Sequence, residues 1–279
     1  MQKYLPTNDL LMKKMMTSED SQHILKAFVK DLLGIDFKRL QPQKTYHIDS
    51  YKKSYDETVL LHTEVDILAT SEDGSHTTIE CQIQSHSYFH ERVIFYLAEA
   101  FRSPFGNTET KSHFSSLRPA YGINIVDFHL FDRKEPASQT FRLLNEETYR
   151  PFVNRNKKEL LTLCFLSLKN ENIDKQAAVY HWHYFLKTSE VFENAPDYIK
   201  EAKRKTDFLT LESEEKEMIM KIDKAKAIRE AELEEAQEKG IQQEKRRLAV
   251  KLFKMGISVE QVSEATGLDI KLVRELTEK

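Results

Sequence analysis

Apolar and polar positions alternate most regularly over residues 64–84, EVDILATSEDGSHTTIECQIQ. Val65, Ile67, Ala69, Ile79, Cys81 and Ile83 are apolar and odd-numbered; Glu64, Asp66, Thr70, Thr78, Glu80, Gln82 and Gln84 are polar and even-numbered. Successive strand side chains point to opposite faces, so two extended arms around SEDGS put one face on a core and gather carboxylates and amides on the other. The turn decides whether the arms cooperate, because opposed residues of an antiparallel pair point the same way. A two-residue Asp-Gly loop pairs Asp66 with Cys81 and splits the polar set. A three-residue loop, Glu72-Asp73-Gly74 with Gly74 left-handed, pairs Ser71 with Ser75 and Asp66 with Glu80. Only the second register agrees with the pattern, and it predicts the two acids within about 5 Å at Cβ.

Helical spacing runs from about Thr7 to Leu33 (Leu11, Met12, Met15, Met16, Ile24, Phe28, Leu32), with Gly34 as a stop. Extended segments are expected around 44–51 and 57–70, and an amphipathic helix from Phe89 to Phe101, ended by Ser-Pro. Further strands are expected at Tyr121–Phe131 and Thr140–Leu144, and the almost wholly apolar run Leu160–Leu168 predicts a strand buried on both faces. Helices dominate thereafter. From Glu212 to about Arg247 the chain is rich in Glu, Lys, Ala and Gln, without aromatics or proline. Its apolar residues (Ile222, Ala225, Ile228, Leu233, Ala236, Ile241) hold no clean heptad, which favours a solvated helix over a coiled coil.

In the last segment one helix ends at Gly256, Ser258 caps a second that stops at Gly267, and Asp269 caps a third. That is helix-turn-helix spacing. Its third helix offers Lys271 and Arg274 but also Asp269 and Glu275, so DNA recognition and a packing or oligomer contact both stay open. The expected organisation is a domain over 1–210, a charged helix over 211–247 and a small helical module over 248–279, with the C-terminal helices available for a homodimer contact.

A chain of 279 residues can bury a substantial core, and 40% hydrophobic with 31% charged residues is a globular balance. The net charge of −3 argues against a uniformly basic nucleic-acid-coating protein but leaves room for one basic face. Two cysteines, Cys81 and Cys164, both in apolar runs, are too few for a disulfide framework. Neither a signal-peptide stretch nor a run of about 18 apolar residues occurs, so a cytoplasmic protein without a membrane partner is expected. The pairs His86/His90 and His181/His183 lack the Cys or Glu companions of a zinc site.

Two carboxylates face to face repel unless something neutralises them. A divalent cation would do so, and hard oxygen ligands suit Mg2+ or Mn2+. An ordinary amphipathic hairpin with a solvated polar face is the alternative.

Asp66, then Glu80-x-Gln82 beyond a hairpin turn, then a helix with Arg92 and Tyr96, resembles the Rpn family of recombination-promoting nucleases and transposases, within the PD-(D/E)XK superfamily. Upstream, Asn8-Asp9 and Lys13 match the family's Asp-x-x-Phe-Lys element, with Met12 in the phenylalanine place; downstream the likeness covers PAYGINIVDFHLF and the charged helix leading to GISVEQVSEATGL. The resemblance implies an α/β (α+β) restriction-endonuclease-like core, a mixed central sheet flanked by helices, with an all-helical C-terminal extension. It also implies metal-dependent phosphodiester hydrolysis in DNA, with Asp66, Glu80 and Gln82 catalytic and Mg2+ (or Mn2+) held by Asp66, Glu80 and the backbone carbonyl of Cys81. Asp9 is either a further ligand or an N-cap. Lys13, Arg92 and Tyr96 either meet DNA phosphate and support the site, or serve in packing and ion pairs. Gln82 replaces the superfamily's usual lysine; it can orient water but brings no charge. The competing reading is a nuclease-like scaffold that has lost catalysis and acts in DNA or protein binding.

Overall fold

A computed structural model describes residues 4–57, 66–85, 87–105 and 113–277. Its elements are α1 (Asp9–Thr17), α2 (Gln22–Leu33), β1 (Leu40–Pro42), α3 (Ile48–Glu57), β2 (Ile67–Ser71), β3 (His76–Gln82), α4 (Phe89–Arg102), β4 (Ala120–Val126), β5 (Ser138–Arg142), β6 (Leu161–Ser167), α5 (Ala178–Thr188), α6 (Asp197–Thr206), α7 (Ser213–Lys254), α8 (Val259–Thr266) and α9 (Ile270–Thr277). The chain divides into two compact units, Met1–Lys216 and Glu217–Lys279.

The first unit is a six-stranded mixed sheet in the order β1-β2-β3-β4-β6-β5. β1, β2 and β3 form an antiparallel meander; β4 and β6 then continue parallel to β3, and β5 closes the edge antiparallel. The parallel step from β3 to β4 requires a crossover, which α4 supplies. The odd-numbered face of the hairpin (Ile67, Ala69, Ile79), with Tyr121, Ile123 and Ile125 of β4, packs under α1, α2, α5 and α6 in the main core. α4 covers part of the opposite face, where Phe89, Val93, Leu97 and Ala100 meet Ala120, Val126, Leu163 and Phe165. β6 is buried on both faces, as its apolar run requires. Trp182 is fully buried, edge-on to Phe28 at 5.0 Å, and its indole N–H donates to Asp31 Oδ2 at 2.9 Å.

The expected first helix is broken in two. Thr17 and Ser18 turn their hydroxyls onto the carbonyls of Lys13 and Lys14, at 2.8 and 2.6 Å, the local competition that ends helices. Gly34 stops α2 in the left-handed conformation, as expected. Where an extended segment was expected over 44–51, helix α3 begins at Ile48. Tyr46 and Tyr51 reach distant partners there, Glu215 and Asp9, so tertiary bonds override a strand-like local pattern. Most of the 57–66 stretch, with Glu64 and Val65, lies outside the described residues.

The β2–β3 turn settles the register. Ser71 N–H donates to the Ser75 carbonyl at 3.0 Å, Gly74 N–H to the Ser71 carbonyl at 3.0 Å, and Gly74 sits at φ +78°. Asp73 Oδ1 accepts from Ser75 N–H and the Ser71 hydroxyl, pinning the turn from inside. Ile67 consequently pairs with Ile79 and Thr70 with His76, the three-residue-loop register.

Gly74 is the backbone requirement of this turn: a side chain there would be held in the left-handed region, with its Cβ 3.3 Å from Arg118 Cγ. Gly74→Val should cost about 1–3 kcal/mol, and Gly74→Asn less, because asparagine tolerates this region. Urea unfolding checks it; an unchanged midpoint for Gly74→Val would show that the turn does not hold the hairpin.

Candidate active site

Asp66 stands one residue before β2, and extending the register by one step sets it against Glu80. Each acid is oriented by the opposite arm. The Asp66 N–H donates to Glu80 Oε1 at 2.9 Å, and the Cys81 N–H donates to Asp66 Oδ2 at 2.9 Å. This reciprocal pair fixes both carboxyl groups before any ligand arrives. Glu80 is buried at 5% exposure, while Asp66 is half-buried. A solvated polar face is therefore not what this hairpin has.

α4 brings Arg92 over the same surface. One guanidinium nitrogen lies 3.5 Å from Glu80 Oε2 and donates to Gln82 Oε1. Arg92 is flanked on its own helix by Phe89 and Tyr96, with ring centroids 5.6 and 6.0 Å from Cζ. Gln82 is held at its other end as well, its amide donating to the Gln84 carbonyl at 2.9 Å. Asp66, Glu80, Gln82, Arg92 and Tyr96 thus belong to one neighbourhood.

α1 supplies a third acid. Asn8, not Asp9, caps the helix, its Oδ1 accepting from Leu10 N–H at 3.1 Å and Leu11 N–H at 3.4 Å. Asp9 is left to accept from the Tyr51 hydroxyl at 2.5 Å and to pair with Lys13 at 3.0 Å. Its oxygens are engaged, so the structure places it beside the hairpin acids as a neighbouring charge with Lys13 as its counterion.

The charges do not balance. Burial, then the Asp9 charge, raise the Asp66 carboxyl above the usual range, against the Cys81 amide, Lys13 and Arg92. Burial, then the Asp66 charge, raise Glu80, against the Asp66 amide, Arg92 and Lys13. Burial also raises the Cys81 thiol, which removes it as a nucleophile at neutral pH. The donors that could hold a cation are the Asp66 and Glu80 carboxylates and the Cys81 carbonyl, all hard oxygens suited to Mg2+ or Mn2+. Their burial beside one another fits such an ion. Among the described residues, no three His, Cys, Asp or Glu side chains already form a metal cluster.

Two residues of this neighbourhood are not evident from the strand pattern. Asn124 of β4, at 2% exposure, lies in register with Glu80 and donates to the Cys164 carbonyl at 3.3 Å. A single amide within the buried run AYGINIV is the signal that marks it. Tyr51 carries no such signal, because its role depends on where α3 meets α1.

A meander of three strands, a crossover helix and a parallel strand, with paired acids on the central strands, defines a nuclease-type α/β fold of the PD-(D/E)XK class. A family model described as PD-(D/E)XK nuclease family transposase matches residues 6–247, and the chain belongs to that family. No curated protein and no solved structure matches the chain. Among the described residues no helix is long and apolar enough to cross a membrane.

Both hairpin acids titrate upward, so without a cation the native state holds their protons more tightly than the unfolded chain does. Stability then falls as pH rises from the ordinary carboxylate range, near 4, through neutrality. Asp66→Asn and Glu80→Gln keep the acceptor oxygens and remove the charge. In chelator at pH 8 each should melt above the wild type, by about 2–4 °C per kcal/mol of repulsion relieved, and the gap should close towards pH 5. Thermal scans across pH test this; variants that melt lower at pH 8 would mean the charges are already satisfied.

Proposed function

We propose that this chain is a divalent-metal-dependent DNA endonuclease that hydrolyses phosphodiester bonds in recombination or transposition, with Asp66, Glu80 and Gln82 at its catalytic centre. The observation that carries this reading is the pair of carboxylates held face to face under α4 with insufficient positive charge between them. A purely structural pair of buried like charges would be a standing cost. Asp66, Glu80 and the Cys81 carbonyl would hold Mg2+, or Mn2+ in its place. Such an ion, when bound, lowers the pKa of a coordinated water and offsets charge on a phosphate.

The chain's own groups have separable tasks. Gln82 orients a water through its amide. The positive charge that a glutamine lacks comes from Arg92, which the Gln82 carbonyl oxygen holds over the site. Lys13 offers a second cation on the Asp9 side, and Asp9 keeps the local field negative enough to favour a cation. Tyr96 braces Arg92 from one helical turn further along α4.

A nuclease-like scaffold without catalysis is the second reading. It is favoured by the backbone N–H that each acid already accepts, which orients the pair without any ion. Nicking of supercoiled plasmid separates the two. Relaxation should require Mg2+ or Mn2+ and stop in chelator. Asp66→Ala and Glu80→Ala should each lower the rate by more than about a hundredfold, beyond the roughly 10- to 100-fold cost of losing an outer-shell partner. Cutting that persists in either variant would remove the hairpin from the chemistry, and a wild-type chain that binds DNA without cutting would favour the scaffold.

A further inference from the structure

The second unit, Glu217–Lys279, ends in a geometry that the hairpin chemistry does not use. α8 opens with a capping box: Ser258 Oγ accepts from the Gln261 N–H and Gln261 Oε1 accepts from the Ser258 N–H, both at 3.4 Å. It ends at Gly267, at φ +66°. Leu268 then turns inward, and Asp269 Oδ1 accepts from Lys271 N–H at 2.8 Å to start α9. Ala249 of α7, Val262 of α8, Leu268 of the turn and Val273 of α9 form a separate small core, with Leu252, Ile257, Val259, Leu272 and Leu276 packed against it. Two eight-residue helices joined by the three-residue turn Gly267–Asp269, braced by a third, form a helix-turn-helix with its own hydrophobic support.

Burial of Leu272, Val273 and Leu276 on one flank of α9 leaves Lys271, Arg274 and Glu275 exposed on the other. Arg274 meets Glu260 at 3.6 Å, and with both side chains more than half exposed that pair is weak. Charge follows the same geometry. Residues 245–277 hold seven Lys or Arg against four acids, whereas the whole chain is net −3. Lys245 reaches the turn itself: a Cβ built on Gly267 would lie 3.7 Å from its Nζ. Arg246, Arg247, Lys251 and Lys254 are exposed along the end of α7.

We infer that residues 245–277 form a second DNA site, in which α9 enters the major groove of duplex DNA. Lys271 and Arg274 meet base edges there, and the cations of the α7 end meet backbone phosphates. A single helix fits a groove about 12 Å wide, and arginine and lysine pair with the guanine edge. The site uses none of the residues at the carboxylate pair and lies almost wholly beyond residue 247, where the family match ends.

The test is fluorescence anisotropy of a labelled duplex with the full-length chain in chelator, where cleavage cannot intervene. Lys271→Ala with Arg274→Ala should weaken binding by at least about tenfold, as loss of base-edge contacts requires. Lys30→Ala with Lys239→Ala, which removes two exposed charges elsewhere, should leave affinity within about twofold. Matched circular dichroism and melting curves confirm that both doubles are folded. Asp66→Ala should retain binding, so a chain that fails to nick plasmid does not affect this readout. A wild-type chain that does not hold duplex DNA, a Lys271/Arg274 variant that binds as the control does, or a preference for single strands over duplex would each overturn the groove assignment.

Discussion

Two backbone amides, those of Asp66 and Cys81, hold the centre of this molecule together. Each donates to the carboxylate carried by the other arm of the hairpin. The constraint behind them is the β2–β3 register. A slip of one residue would send Glu80 to the face packed by α1 and α2, where an unpaired charge could not be tolerated. Everything that surrounds the two acids is arranged on the assumption that this register holds.

The surroundings form two tiers. α4 closes over the polar face and contributes Arg92, held by Gln82 and flanked by Phe89 and Tyr96. α1 contributes Asp9, tied down by Lys13 and Tyr51. The base of α7 is locked nearby through buried Glu215, which accepts from Lys14 and from the Tyr46 hydroxyl at 2.9 Å. Neighbouring lysines of α1 therefore serve different partners, Lys13 the acid cluster and Lys14 the helix base. Beside the uncharged Gln82 stands the Arg92 guanidinium of α4, which donates to Gln82 Oε1 and lies 3.5 Å from Glu80 Oε2.

The two units rest on different physics. In the first, a mixed sheet buries a pair of acids, and burial followed by neighbouring charge raises both carboxyls above their usual range. In the second, a small apolar core supports short helices whose exposed flank and neighbouring helix end carry excess positive charge, which suits a polyanion. A family match over 6–247 accounts for the first unit and most of α7. The helix-turn-helix beyond it is legible only from its own capping, turn and burial.

Much of this was legible in the amino-acid sequence. The two-residue alternation across 64–84, broken by Leu68, together with one glycine in the turn determined the hairpin register and so the placing of Asp66 opposite Glu80, because only the three-residue loop puts Ile67, Ala69, Ile79 and Cys81 on one face. The apolar run of β6, the glycine stops after α2 and α8, and the Ser258 and Asp269 caps were likewise readable, since each depends on neighbours within a few positions. What the tertiary structure alone decided depends on residues far apart in the chain. Helix α3 replaces an expected strand because Tyr46 and Tyr51 are bound by Glu215 and Asp9, 169 and 42 positions away. Asp9 is a charged neighbour rather than a cap because Asn8 takes the helix end, and Arg92 reaches Gln82 because α4 packs against the sheet on that face. Local pattern fixes which face a residue is on; only packing fixes what it meets there.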